Sequence, residues 1–243
     1  MSLKPARRSV LAGLAGFAAM AAGRPSTGAA QQTLPSPAAS PDTPAARDAL
    51  RLKRAAREKV NAIEPPRFRP EAVPLDAPII SAFYARYGAG RFDNLDRIRL
   101  RWLSLKDTPD PNYFALIPHK AAAFSFQRPN NGAVISPRHM FTDGGSVPWL
   151  WQSIPNLSSW GYGPAYLIHD WLFDLHHCGR TDLSFEAARD IMMEAVKALM
   201  ETGFCARSEL SFWLLFQGID SFKAREYWST NTGGCTLPPD YEE

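Results

Sequence analysis

The chain has 243 residues, of which 27 are lysine or arginine and 24 are aspartate or glutamate, so its formal net charge is +3. Four of the basic residues and none of the acidic ones lie in the first 30 positions, which leaves 23 − 24 = −1 for the rest of the chain. Because the positive excess belongs to one terminal segment, a nucleic-acid partner is not indicated.

The N-terminal segment has the pattern of an export signal. Arg7 and Arg8 precede a weakly apolar run rich in alanine and glycine, and the small residues at 28–30 suit a cleavage site. The run is short and interrupted for a membrane span, although an uncleaved anchor is an alternative. We therefore predict a twin-arginine-type signal peptide over residues 1–30 and a periplasmic or secreted protein.

Residues 31–75 predict a disordered, basic linker. Its first part is rich in proline, serine and alanine, which is typical of a spacer. Residues 46–63 combine helix-forming residues with a strongly basic face, which indicates a solvated helix or more spacer, with contact to anionic lipid headgroups as the alternative. A single globular domain is then expected over 76–230, followed by an irregular C-terminal tail over 231–243.

The spacing of apolar residues changes along the predicted domain. Asp76 can cap a helix that ends at Gly88, whereas residues 97–102 alternate charged and apolar side chains, as a half-buried strand does. Turn-forming clusters separate further short strands, predicted at 113–118, 122–127 and 138–141. The sequence thus predicts a small antiparallel sheet ahead of the helical part of the domain.

Three helices follow the predicted sheet. The first covers 164–176 and starts at a proline, which is tolerated in a first helical turn. The second starts at Ser184, a good N-cap residue, and runs to Glu201 before a glycine. A third, over 208–228, has an apolar face suited to packing behind the other two. The predicted fold class is therefore α+β.

Four acidic or imidazole side chains in this region suggest chemistry. His169 lies in mid-helix, where a carboxylate from the next helix, Asp190, could fix its tautomer and let it act as general base on water. Asp170 points about 100° away around the helix and is free to bind a hard cation. Asp143 and the backbone of Gly144, in a glycine-rich turn, are the kind of oxygen ligands that calcium prefers.

These residues carry a resemblance to a known enzyme family. The runs T-D-G-G-S-V-P and P-A-Y-L-I-H-D-W-L-F resemble the core of secreted prokaryotic and fungal phospholipases A2, which have D-G-C-S, then P-A-C-x-x-H-D-x-x-Y, then a later aspartate. The resemblance implies a pair of antiparallel helices in which His169 is the base and Asp190 its partner. It also implies that Asp143, Gly144 and Asp170 bind a calcium ion.

The chain departs from that family at several positions. Gly145 and Tyr166 stand where the family has two half-cystines, and Phe173 replaces its tyrosine. The predicted antiparallel sheet is a further departure, since the family is mainly helical.

A second resemblance has no activity attached to it. The runs T-D-G-G-S-V-P-W-L-W, H-D-W-L-F and A-R-D-I-M-M-E-A are similar to an uncharacterised family of bacterial and phage proteins known as domain of unknown function 1353. This resemblance is expected to cover roughly residues 97–200.

The chain has three cysteines, at positions 178, 205 and 235. In an oxidising compartment the simplest expectation is one disulfide and one free thiol. The candidate pairs are Cys205 with Cys235 and Cys178 with Cys205.

Taken together, these residues predict an exported, calcium-dependent hydrolase that cleaves carboxylic esters as phospholipase A2 does, with phospholipid or a membrane surface as substrate. One alternative is another hydrolase of the cell envelope, such as a peptidoglycan-directed one, that uses the same residues. The other is a non-catalytic envelope module or one of phage origin, in which Asp143, His169 and Asp170 only pin the loop to the helix.

Overall fold

Six helices and two small antiparallel sheets are found in the computed structural model, which describes residues 43–63, 77–103, 113–145, 157, 158 and 160–238. All of these residues belong to one compact unit that spans 37–243. The predicted signal peptide, the proline-rich part of the linker up to residue 42 and the Asp76 cap lie outside the described residues. The combination of helices with antiparallel sheets confirms the predicted α+β fold class.

The helices are α1 (Pro44–Asn61), α2 (Ala77–Ala85), α3 (Gly163–His177), α4 (Phe185–Glu201), α5 (Glu209–Ile219) and α6 (Phe222–Ser229). The strands are β1 (Arg91–Asp93), β2 (Leu100–Trp102), β3 (Phe114–Leu116), β4 (Ser125–Gln127), β5 (Val134–Ile135) and β6 (Met140–Thr142). No helix in the described part of the chain is both long and apolar enough to cross a membrane.

The strands form two sheets rather than the single sheet that was expected. Strands β2, β3 and β6 pair in the order β2-β3-β6, and the order in the other sheet is β1-β4-β5. Four of these strands fall at predicted positions, whereas β1 and β5 were not predicted. Both are only two or three residues long, so too few positions are available for a recognisable alternation.

The sheet β2-β3-β6 separates α1 from the main core. Leu116 and Met140 are directly opposite each other and are buried in the main core. The next pair along the strands, Ala115 and Phe141, is buried in a second cluster with residues of α1. Successive side chains of a strand point to opposite faces, so this sheet is covered on both sides.

Helix α1 corrects the prediction of a solvated helix or spacer between residues 46 and 63. Thr43 caps it by accepting a hydrogen bond from the backbone N–H of Ala46. Its buried residues recur at three- and four-residue intervals, which is the spacing of one helical face; they are Ala46, Ala49, Leu50, Lys53, Ala56 and Val60. The basic residues between them obscured this face, because small alanines give a weak apolar signal.

Helices α3 and α4 confirm the predicted helical pair almost residue for residue. Pro164 lies in the first turn of α3, and the Ser184 side chain accepts a hydrogen bond from the N–H of Ala187 at the start of α4. The two helices pack against each other and contribute most of the main core.

The predicted third helix is two helices. Ser221 interrupts it and caps α6, since its side chain accepts a hydrogen bond from the backbone N–H of Ala224. Helix α5 packs on α2 and α4, whereas α6 packs on α1 and α3. Because of this break, the two parts of the apolar segment pack against different helices.

Cys178 and Cys235 form the disulfide, and Cys205 is a buried free thiol. The expected count is confirmed, but both candidate pairs were wrong because each included Cys205. The bridge ties the C-terminal segment to the end of α3, and in that segment Thr236 and Leu237 are buried although the chain is irregular there.

Candidate functional site

A buried ion pair fixes α1 against α3. The Lys53 ammonium donates hydrogen bonds to the Asp174 carboxylate, at 2.7 Å, and to the backbone carbonyl of Phe141, at 2.6 Å. The Thr236 hydroxyl donates to the other Asp174 oxygen at 2.6 Å. Burial is the largest single influence and lowers the pKa of Lys53, but the attractions of Asp174, Asp170 and Tyr227 together outweigh it, so the pKa is raised. The lysine is therefore charged, and α1 is firmly anchored.

Arg57 lies one helical turn after Lys53, on the same face of α1. Its guanidinium forms an ion pair with the Asp143 carboxylate, and its Nη2 atom lies 3.9 Å from an oxygen of Asp170. The guanidinium also lies over the ring of Tyr227 in α6, 5.6 Å from the ring centroid. Side chains from α3, α6 and one loop thus meet around a single cation on α1.

The loop that carries Asp143 is held to α3 by Thr142. The Thr142 hydroxyl donates a hydrogen bond to Asp170 at 2.7 Å and accepts one from the backbone N–H of Gly144 at 3.0 Å. Gly144 has a φ of 79°, a left-handed conformation that glycine adopts without strain. The structure therefore brings the predicted loop residues Asp143 and Gly144 next to Asp170.

Gly145 packs directly against Tyr166. A Cβ atom added at Gly145 would lie 2.6 Å from the tyrosine ring, so any larger residue would collide with it. These are the two positions at which the phospholipase family has half-cystines. In this chain the two positions are in contact through the ring of Tyr166, which packs on Gly145.

His169 presents a ring nitrogen without a partner. Its Nε2 atom is buried and forms no hydrogen bond within the described part of the chain. The ring lies 4.6 Å from that of Phe173, measured between centroids. Burial, against the opposing charge of Asp170 and with a smaller contribution from Arg57, lowers the pKa of His169 to about 4. The imidazole is therefore neutral at pH 7 and can accept a proton.

Buried polar atoms without hydrogen-bond partners are concentrated near Arg57. Native proteins contain few such atoms, and each requires an explanation such as an ordered water or a ligand. Four of those in the described residues belong to this region: Asp143 Oδ1, His169 Nε2, His177 Nδ1 and Tyr227 Oη. Their concentration indicates a place where a polar ligand can bind.

Asp190 is not the partner of His169. It accepts hydrogen bonds from the Tyr87 hydroxyl at 3.3 Å and from Arg189 at 2.9 Å, and the structure has no hydrogen bond between it and His169. It lines a cleft of about 260 Å³ together with Arg128 and Glu194, which pair with each other. The buried side chains of α4, such as Ala188 and Ile191, face the core and leave Asp190 to the side, so the structure does not bring the two residues of the predicted dyad together.

Sequence reasoning missed the residues that complete the site: Lys53, Arg57, Asp174, Tyr227 and Thr236. The one available signal was the lysine within the alanine-rich stripe of α1, since a charge on an apolar face is seldom buried without a partner. The identity of that partner is not encoded locally, because Asp174 lies 121 residues away.

The calcium ion implied by the phospholipase resemblance does not fit this arrangement. Calcium takes six to eight oxygen ligands. The carboxylates of Asp143 and Asp170 instead face the guanidinium of Arg57. Calcium could join the two aspartates only after Arg57 had moved away.

Comparison with known protein families gives a match over the central part of the chain. Residues 120–210 match the family model described as Protein of unknown function (DUF1353). The match confirms that resemblance, although its limits differ from the expected 97–200. The matched segment contains Asp143, His169 and Asp170, but neither Arg57 nor Tyr227. No curated protein and no solved structure matches the chain.

Proposed function

We propose that the protein hydrolyses carboxylic ester bonds of phospholipids at a membrane surface, with His169 as the general base. The observation that carries this proposal is the buried, unpartnered Nε2 atom of a neutral imidazole beside a cluster of charged groups. A general base needs an accepting nitrogen that is not already committed to another hydrogen bond.

The proposed reaction begins with a water molecule hydrogen-bonded to Nε2. As the water oxygen bonds to the ester carbonyl carbon, its proton passes to His169 and the carbonyl oxygen becomes an oxyanion. When the tetrahedral intermediate collapses, the bond from carbon to the alcohol oxygen breaks. The proton on His169 then passes to that oxygen, which yields a free fatty acid and a lysophospholipid and restores the neutral imidazole.

Two further features support the proposal. The contact between Gly145 and Tyr166 joins the loop and α3 at the two positions where the phospholipase family has half-cystines, which supports the proposal. The Cys178–Cys235 disulfide is in keeping with an oxidising compartment, which supports periplasmic or secreted localisation. A carboxylate that orients His169 forms no part of the proposal; contact with Phe173 takes that role.

The test is fatty-acid release from mixed phospholipid micelles by the purified protein, with calcium and with a chelator. His169→Asn should lower release by roughly 10²- to 10⁴-fold, the contribution of a general base. His119→Asn, which removes a histidine between β3 and β4, is the matched control and should keep wild-type activity. Absence of release by folded wild-type protein under every condition, or full release by His169→Asn, would overturn the proposal.

A non-catalytic envelope module is the second candidate, favoured by the ion pair between Arg57 and Asp143. This pair pins the loop after β6 to α1 and could serve stability alone. In that case Asp143→Asn lowers the melting temperature, and the wild-type protein releases no fatty acid.

A further inference from the structure

The cation at the centre of the site belongs to the chain itself. Arg57 is 17% exposed through its side chain and lies between the carboxylates of Asp143 and Asp170, which are the two predicted calcium ligands. A guanidinium keeps its charge at every physiological pH and has five N–H donors. It therefore supplies in this position the positive charge that a metal would supply.

Part of the donor capacity of Arg57 is not used by its carboxylate partners. Nη1 donates to Asp143, whereas the 3.9 Å from Nη2 to Asp170 is longer than a hydrogen bond. Charge attraction and a side-chain interaction with the Tyr227 oxygen raise the pKa of Arg57, so the two groups are close, and the buried Tyr227 hydroxyl donates to no acceptor among the described residues. The guanidinium and the phenolic O–H thus lie close together, and the O–H has no acceptor among the described residues.

We propose that Arg57 and Tyr227 form an anion-binding site that takes the place of calcium, with the guanidinium and the phenolic O–H receiving a negatively charged oxygen. This inference rests on the proposed function, in which that oxygen is the ester oxyanion or a phosphate oxygen of the lipid. Donors placed in advance around a developing oxyanion are worth roughly 10²- to 10³-fold in rate each.

Because α1 is anchored to α3, Arg57 is held in the site permanently. One turn earlier, Lys53 is 1% exposed and bonded to Asp174, which is fully buried. Withdrawal of Arg57 together with α1 would separate this buried pair and leave Asp174 charged and without its cation. Removing one partner of such a buried pair is strongly destabilising, because it leaves an uncompensated buried charge.

The experiment measures fatty-acid release in the presence of a chelator by wild type, Arg57→Gln, Arg57→Lys and Tyr227→Phe. Wild type should retain its release without calcium, and Arg57→Gln should lose roughly 10²- to 10³-fold. Arg57→Lys keeps the charge but loses the fork of donors, so an intermediate rate is expected. Arg54→Gln is the matched control: it removes a cation from the same helix that faces Glu58 instead of the site, and it should leave the rate unchanged.

Calorimetric titration with calcium gives a readout that does not depend on activity. Wild type should show no binding, whereas Arg57→Gln should gain calcium affinity because Asp143 and Asp170 then lack their cation. Melting temperatures of each variant establish that it is folded. Calcium binding by wild type, together with release that requires calcium and survives Arg57→Gln and Tyr227→Phe, would overturn the inference while leaving the hydrolase in place.

If wild type releases no fatty acid under any condition, the proposed function fails and the anion site is judged separately. Inorganic phosphate is then the probe, compared with chloride at equal ionic strength. A phosphate-dependent rise in melting temperature that is lost in Arg57→Gln and kept in Arg54→Gln would support the anion site. Equal melting in the two salts would overturn it.

Discussion

The buried pair of Lys53 and Asp174 makes the sharpest prediction about stability. Lys53→Met keeps most of the side-chain volume but leaves Asp174, which is fully buried, without its cation. Removing one partner of a buried pair costs roughly 3 to 5 kcal/mol, and that is the expected fall in the free energy of unfolding. The pair joins α1 to α3, so the loss should be accompanied by earlier exposure of α1 to protease.

A second ion pair on the same helix provides the control. Arg51 pairs with Asp48 three residues away, and its side chain is 77% exposed. Because an exposed pair is screened by water, Arg51→Met should change the free energy of unfolding by no more than about 0.5 kcal/mol. The contrast between the two variants isolates the effect of burial from that of removing one positive charge.

Urea unfolding, followed by tryptophan fluorescence and circular dichroism, measures both variants and completes a double-mutant cycle. Asp174→Asn combined with Lys53→Met should cost less than the sum of the two single changes by roughly 1 to 3 kcal/mol, because the double variant contains no uncompensated buried charge. Equal losses for Lys53→Met and Arg51→Met, or simple additivity in the cycle, would refute the reasoning that burial makes this pair important.

Three further predictions concern α3 and its neighbours. Because the pKa of His169 is about 4 in the folded protein, against an ordinary 6.5, only the unfolded chain binds that proton at pH 5. His169→Asn should therefore reduce the loss of unfolding free energy between pH 7 and pH 5 by about 2 kcal/mol, and an unchanged difference in urea titrations would contradict this. The disulfide spans a separation of 57 residues, so replacing Cys178 and Cys235 with serine should cost about 4 kcal/mol, measured in urea beside reduced wild type. Gly145→Ala would place its Cβ 2.6 Å from Tyr166 and should lower the free energy of unfolding by about 1 to 3 kcal/mol; a melting temperature equal to that of wild type would show that the ring moves freely.

The same lowered pKa of His169 predicts how the rate of ester hydrolysis depends on pH. A neutral base is required, so kcat/KM for ester hydrolysis should stay level from neutral pH downward and fall only near pH 4. A fall centred near the ordinary histidine value would indicate that water reaches the ring or that another group is the base.

Local sequence signals were sufficient to predict helices α3 and α4 and the α+β fold class. A first-turn proline, the Ser184 cap and the spacing of apolar residues act within a few positions of each other, so they can be read directly from the chain. The closeness of Asp143 to Asp170 was also predictable, through the motif that both belong to. These features depend on short sequence separations, where backbone preference and hydrogen bonding decide the outcome.

The tertiary structure alone decided which groups surround His169. Asp190 was the expected partner because it lies on the adjacent helix, but the rotation of α4 that buries Ala188 and Ile191 turns it toward Tyr87 and Arg189. Such a rotation depends on the whole core, and no short run of sequence specifies it.

The sequence by itself therefore determined the helical pair, the loop and His169 as a base candidate, while the fold determined that His169 is neutral and which cation lies beside it. Arg57 reaches Asp143 across 86 positions, and it does so because an alanine-rich face of α1 docks on the sheet and Lys53 finds Asp174. Contacts between residues so far apart arise from packing and from the pairing of buried charges. Neither packing nor the pairing of buried charges produces a periodic pattern or a motif in the sequence. The position of the Arg57 guanidinium between the two predicted calcium ligands can therefore be recognised only in the tertiary structure.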